Sequence, residues 1–169
     1  DSYNGSTVQA QAPMVSHLPQ AIGITIARIL HMSNAALLFL GRFFGLMTYI
    51  ILTYYAIKIT PFGKQVMFAI SGFPMLLEEA TSFSYDGVIC GLSFLLTAYI
   101  LRLIYETEKL TLKNYVILFV IAIILAPCKM VYSFLVLLAF LIPNRKFGNK
   151  KIAYAYKCIL AIAVIGYAV

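Results

Sequence analysis

Long apolar runs, each cut by a short polar interruption, organise this chain. Residues 34–57 are apolar apart from the single charge of Arg42. The run ends at Thr60-Pro61-Phe62-Gly63, where Pro presets its own φ and Gly supplies left-handed backbone, so a turn is predicted. A second run, Gln65–Leu77, contains Pro74, which predicts a kink or an end of regular helix there. It leads into Glu78-Glu79-Ala80-Thr81-Ser82-Phe83-Ser84-Tyr85-Asp86, a cluster of acids and hydroxyls. Residues 87–101 are uncharged and leave through Arg102, and the following loop, 105–114, is mixed in charge. Residues 115–142 are apolar around Pro127-Cys128-Lys129, and a last run, 152–169, carries Lys157 near its start. Ahead of all these, residues 1–20 are polar, contain Pro13 and Pro19, and predict an exposed loop. From Pro19 to Met32, Ile22, Ile26, Ile29 and Leu30 recur at helical spacing with Arg28 and His31 between them, which predicts a short amphipathic helix at a membrane interface. Ser33 or Asn34 would cap the helix that follows.

A membrane-crossing helix needs about 20 apolar residues. The 28 residues of 115–142 are too many for one upright span and few for two. They fit either one kinked helix or a hairpin of two short helices turning at Pro127-Cys128-Lys129. Charge decides between these. Nine of the thirteen basic residues fall in three stretches between apolar runs: Lys58 and Lys64; Arg102, Lys109 and Lys113; Arg145, Lys146, Lys150 and Lys151. Cytoplasmic loops carry such an excess of Lys and Arg, and only the hairpin returns all three stretches to one side. The expected architecture is therefore an all-α, integral membrane helical bundle with short or broken helices. Residues 1–33 form an outer-face loop and interfacial helix, and spans run over about 34–57, 65–80, 87–104, 115–126, 129–142 and 152–169. Residues 78–86 and 127–129 face outward.

Composition agrees. The chain is 62% hydrophobic and 11% charged, with a mean hydropathy of +0.91; soluble domains carry about 25% charged residues. The net charge of +7 does not imply nucleic acid, because the basic residues mark loops rather than one basic face. Cys90, Cys128 and Cys158 have neither metal nor redox spacing. The chain starts at Asp1 without a signal-peptide pattern and reads as a piece of a longer protein with its beginning missing. Asn4-Gly5-Ser6 fits a glycosylation acceptor by pattern alone.

Charged side chains at membrane depth are costly, so clusters of them are functional candidates. Asp86 could simply start the helix over 87–101, where the helix dipole favours an acid. Glu78 and Glu79, at similar depth, add carboxylates that could act as a general base, hydrogen-bond sugar hydroxyls, or give a divalent metal its hard oxygen ligands. Lys129 either snorkels to the headgroups or, with the helix start after Pro127 and the nearby Tyr132, faces a phosphate. Arg42 either pairs with one of these acids or is a second phosphate ligand. His17 and Gln20 frame Pro19 without metal spacing. No phosphate-loop, dinucleotide or nucleophile-elbow motif occurs.

Four segments occur in order: His-Leu-Pro-Gln-Ala-Ile-Gly (17–23), Gly-Arg-Phe-Phe (41–44), Pro-Met-Leu-Leu-Glu-Glu-Ala-Thr-Ser-Phe-Ser-Tyr-Asp (74–86) and Ala-Pro-Cys-Lys-Met-Val-Tyr (126–132). Over most of 17–143 this series resembles a bacterial family of polytopic membrane proteins catalogued as domain of unknown function 2142. That family is similar to GT-C glycosyltransferases, which take sugars from polyprenyl-phosphate carriers on the outer face of the membrane. The resemblance implies transfer to an envelope glycan or lipid-linked acceptor by a bacterial plasma-membrane enzyme. It also implies that the acidic base of the first outer loop lies mostly upstream of Asp1. The expected site has Asp86, Glu78 and Glu79 as catalytic acids. Lys129, Arg42, Tyr132, Ser84, Tyr85, His17 and Gln20 bind substrate. The competing expectations are a transporter or flippase for lipid-linked glycans and a non-catalytic membrane scaffold.

Overall fold

The computed structural model describes residues 14–107, 110–125, 135, 137–143, 154, 157 and 158. The described residues are all-α, with no strand among them. They form α1 (Met14–Ile29), α2 (Asn34–Ile59), α3 (Lys64–Ser71), α4 (Pro74–Thr81), α5 (Asp86–Tyr105) and α6 (Leu112–Leu125), then a 3-10 segment, Leu137–Leu141.

α1 corrects the expectation at the start of the chain. The stretch read as loop up to residue 20 is helical from Met14, with Pro19 inside the helix. Pro19 removes one ladder donor close to the helix start, a loss that packing outweighs. The helix lies lengthwise on α2 rather than standing apart from the bundle. Small residues make the contact. Gly23 and Ala27 are buried on α1, and Gly41 and Gly45 on α2. A Cβ on Gly23 would come within 2.6 Å of the Leu40 carbonyl oxygen, so the two backbones touch, as small-xxx-small pairs allow. Gly23 meets Leu40 and Gly41 while Gln20 meets Gly45, so the two helices run antiparallel.

The chain reverses between them through a left-handed residue, His31, with φ 49°. The Met32 amide donates to the Ala27 carbonyl (3.1 Å) and the His31 amide to that of Arg28 (3.0 Å). This is a Schellman ending with His where Gly is usual. At its far end α2 stops at Thr60, whose hydroxyl donates to the Ala56 carbonyl (2.6 Å). The turn expected over 60–63 follows, with Gly63 at φ 69°, a conformation that side chains with Cβ resist.

α3 and α4 are the two halves of a broken helix. Phe73 is extended (φ −60°, ψ 136°) and Pro74 opens α4. A residue before Pro avoids the α region, and Pro itself suits a first helical turn. Each half has eight residues, about 12 Å at 1.5 Å per residue. The span expected over 65–80 is thus two short helices rather than one. Tyr49 of α2 donates its hydroxyl to the Ser71 carbonyl (2.7 Å), satisfying an end group of α3 inside the protein.

α5 returns parallel to α2: Gly87 and Gly91 pack against Ala80 and against Leu52 and Tyr49, and Tyr105 meets Phe62 edge-on at 4.9 Å. α2 and α5 are each long and apolar enough to cross a membrane, and α5 is the inner one, half buried (50%) against 17% for α2. Its Val88, Leu92, Leu96, Ile100 and Leu103 form the core with Leu118, Ala122 and Leu125 of α6. Tyr99 also donates to Asn114 Oδ1 of α6 at 3.1 Å.

The 3-10 segment falls in the span expected over 129–142, so that part of it is not α-helical. Lys157 is buried beside it and donates to the carbonyls of Phe140 and Ile142, both at 3.0 Å, while lying 5.9 Å from the Phe140 ring centroid. A cation at the carbonyl end of a helical segment is electrostatically favoured. The turn at Pro127-Cys128-Lys129, and with it the hairpin, lies outside the described residues, as does most of 152–169.

Candidate functional site

The acidic cluster first terminates α4. The Ser82 amide donates to the carbonyls of Glu78 (2.9 Å) and Glu79 (3.2 Å). The Ser82 hydroxyl donates to the Glu79 carbonyl at 2.8 Å, and the Thr81 hydroxyl to that of Glu78 at 3.0 Å. Two hydroxyls of the cluster therefore reinforce the end of α4. The chain then turns on serine. The Ser84 amide donates to Ser82 Oγ (3.2 Å). Ser84 Oγ donates to Asp86 Oδ2 (3.0 Å) and accepts from the Asp86 amide (3.1 Å). Asp86 is the first residue of α5, with Tyr85 in the cap position. The expected helix start is there, displaced by one residue, and its carboxylate sits at the positive end of the helix dipole.

α1 reaches into this loop from the other side. Gln20 is 2% exposed, and its Nε2 donates to the Ser84 carbonyl at 2.8 Å. His17 lies one turn earlier. Its Nδ1 is 3.4 Å from Gln20 Oε1, a contact that requires the Nδ1–H tautomer. Its ring meets Tyr85 edge-on at 5.2 Å. Pro19 sits between the two, so the His-Leu-Pro-Gln sequence is the part of α1 that holds the loop.

α2 supplies the floor. A Cβ on Gly41 would fall 2.8 Å from the Phe83 ring, and Gly45 packs near the Ala80 carbonyl and Gln20. A Cβ on Gly87 would come within 2.6 Å of Ala80 Cα. Gly45, Ala80 and Gly87 thus let α2, α4 and α5 approach at backbone distance. Sequence reading missed these positions, although the Gly41-xxx-Gly45 spacing is the known signal for such contact.

The structure therefore brings together His17, Gln20, Glu79, Ser84, Tyr85 and Asp86, drawn from two distant stretches. Glu78 is exposed on α4 and Glu79 half-buried. Arg42 is exposed on α2 and pairs with none of Glu78, Glu79 or Asp86 among the described residues. The ion pair found there joins Arg102 and Glu106 of α5 and the residue after it, at 3.4 Å. Of the two alternatives for Arg42, the ion pair with one of these acids is therefore not formed. No three His, Cys, Asp or Glu side chains among the described residues are grouped to hold a metal ion. A divalent ion shared by Glu78, Glu79 and Asp86 gains no support. Lys129 and Tyr132 lie outside the described residues. A carboxylate bonded to a serine hydroxyl, followed along the same loop by a tyrosine that packs on a histidine ring, all half-buried, offers acceptors and donors to a hydroxyl-rich ligand.

No curated protein matches the chain. No solved structure matches it either. A family model described as "Predicted membrane protein (DUF2142)" matches residues 1–169. With two helices of crossing length and the motif segments 17–23, 41–44 and 74–86 gathered at one site, the chain belongs to that family and is a membrane protein.

Proposed function

We propose that this chain is the core of a multi-pass, GT-C-like glycosyltransferase of the bacterial plasma membrane. It takes a sugar from a polyprenyl-phosphate donor at the outer face and delivers it to an envelope glycan or lipid-linked acceptor. One observation carries the reading: the Asp86 carboxylate, with the Ser84 hydroxyl on it, sits in a loop that α1 holds through Gln20 on the Ser84 carbonyl and His17 on the Tyr85 ring. Such a carboxylate can orient an acceptor hydroxyl and take its proton as it attacks the sugar. Glu79 and Glu78 of α4 are assigned to the sugar, as acceptors for its hydroxyls. Lys129, with Arg42 and Tyr132, is assigned to the carrier phosphate, whose charge grows as it leaves.

Depth supports an interfacial site. α2 has 26 residues, about 39 Å, against a hydrocarbon thickness of about 30 Å. With Ile59 at the inner edge, the outer edge falls near residue 40. The loop packed on Gly41 and Gly45 then lies within about a turn of it.

The broken α3–α4 pair favours a second reading, a transporter or flippase of lipid-linked glycans, since broken helices recur in such proteins. One experiment separates them. In the full-length protein, Asp86→Asn should reduce sugar transfer from a radiolabelled polyprenyl-phosphate sugar by at least about 100-fold, the scale of general base catalysis. Binding of the donor should persist. Undiminished transfer by the folded variant would remove Asp86 from the chemistry, and a variant defective only in lipid translocation would favour the transporter.

A further inference from the structure

A second site lies at the opposite end of α2 from the acidic loop. α2, α3 and α4 line an open cavity of about 550 Å³, within the ~300–1,000 Å³ usual for small-molecule sites. Its walls include Tyr49, Thr53, Tyr54, Ile57, Phe68 and Leu77, and Lys58 and Lys64 line it as well. Tyr49 and Lys58 are separated by about 13 Å along α2, so the cavity is elongated, with both ammonium groups at the end beside the α2–α3 turn.

Three polar side chains of its wall, those of Tyr49, Thr53 and Ser71, are already satisfied by the protein. Tyr49 donates to the Ser71 carbonyl at 2.7 Å, Thr53 to the Tyr49 carbonyl at 2.8 Å, and the Ser71 hydroxyl to the Phe68 carbonyl at 2.9 Å. The interior therefore asks for an apolar occupant. The lysines ask for the opposite. Both are exposed, and neither has an ion-pair partner among the described residues. The outer flank continues into an exposed apolar face of α2 at Ile50, Ile51 and Tyr55, which in a membrane faces lipid. A ligand must combine an aliphatic chain with an anionic head placed at the membrane edge.

We propose that this cavity binds one anionic glycerophospholipid, with an acyl chain along α2 and its phosphate between Lys58 and Lys64. Charge complementarity selects the head, and the satisfied walls select the chain. The two lysines lie in a stretch that the basic-loop pattern assigns to the cytoplasmic side, where anionic lipids concentrate. The site does not depend on the glycosyltransferase reading, since none of its residues belongs to the acidic loop.

The test uses the full-length protein in vesicles containing phosphatidylglycerol or phosphatidylcholine with identical chains, each bearing a mid-chain diazirine. After irradiation, labelled peptides are mapped by mass spectrometry. Phosphatidylglycerol should label residues within 49–77 in preference to phosphatidylcholine. Lys58→Gln with Lys64→Gln should cut that preference by roughly 25-fold, about five-fold per lysine. Lys58→Arg with Lys64→Arg should restore it. Ile57→Trp, which fills the cavity, should suppress labelling by both lipids while the protein still elutes as a single species. Equal labelling by the two lipids, an unchanged preference in the Gln pair, or undiminished labelling of Ile57→Trp would each overturn the proposal. So would the absence of label from 49–77, the result expected if another protein segment occupies the cavity.

Discussion

Replacing Gln20 should loosen the acidic loop, because one buried amide ties it to α1. Gln20 is 2% exposed, and its Nε2 lies 2.8 Å from the Ser84 carbonyl. Gln20→Leu keeps most of the volume but removes the donor. Stranding a buried acceptor costs about 1–3 kcal/mol. Ser84 is only half-buried, so water can reach part of its carbonyl and the lower half of that range, about 1–2 kcal/mol, applies. For a chain of this size that lowers the melting temperature by about 2–8 °C. Gln20→Asn discriminates further. The shorter amide cannot reach Ser84, so two polar groups are stranded instead of one. The conservative change should therefore destabilise more than Leu. Hydrogen exchange should rise over 82–86 in both variants and stay unchanged in the α5–α6 core. If Gln20→Leu melts within about 1 °C of the parent, or Asn is the milder substitution, the tie between α1 and the loop is refuted.

Three further outcomes follow from the backbone geometry. Gly87→Ala places a Cβ 2.6 Å from Ala80 Cα. Overpacking of about 1–3 kcal/mol should exceed any gain in helix propensity, whereas Gly41→Ala meets side chains, the Phe83 ring and Ile24 Cγ1, which can shift, and should be milder. Comparing the two by thermal denaturation gives the order. His31→Gly should raise stability by about 0.5–1 kcal/mol, because His31 holds φ 49° where Gly has no steric penalty; an unchanged or lower melting temperature would refute that. Lys157→Met removes two donors from the carbonyls of Phe140 and Ile142. It should cost about 2–3 kcal/mol and speed hydrogen exchange over 137–143, and unaltered exchange there would count against a capping role.

What could be read in the sequence was whatever depends on neighbours along the chain. α2 and α5 run over Asn34–Ile59 and Asp86–Tyr105, within two residues of the expected 34–57 and 87–104, because continuous apolar runs end there at a turn or a charge. The break at Pro74 was also local chemistry. α1 was not legible in full, since Pro19 reads as loop and the surface that retains it as helix lies on Gly41 and Gly45 of α2. Site residues divide in the same way. Asp86 at a helix start follows from sequence, but that the Ser82 and Thr81 hydroxyls turn back onto the end of α4 does not. Arg42 needed a partner at a given distance, and no one-dimensional pattern supplies distance.

The break between α3 and α4 sets the depth of the acidic loop. Ser71 stands opposite Tyr49 of α2, and Ala80 opposite Gly45. Had α3 continued straight, the nine residues between them would have climbed about 13 Å, to the level of residue 40 on α2. They climb only about 6 Å, because the extended Phe73 sends α4 obliquely across α2. That difference of about 7 Å is roughly one helical turn, the distance between the level of Gln20 and that of Gly23–Ile24 on the antiparallel α1. Without the break, Ser84 would pass Gln20 and meet apolar side chains, and its carbonyl would lose its partner. The cavity lined by Lys58 and Lys64 lies between the lower half of α2 and the two short helices on either side of that break. The residue ahead of Pro74 therefore stands at the junction of both features: a polar loop held low enough to be tied, and an apolar opening beneath it.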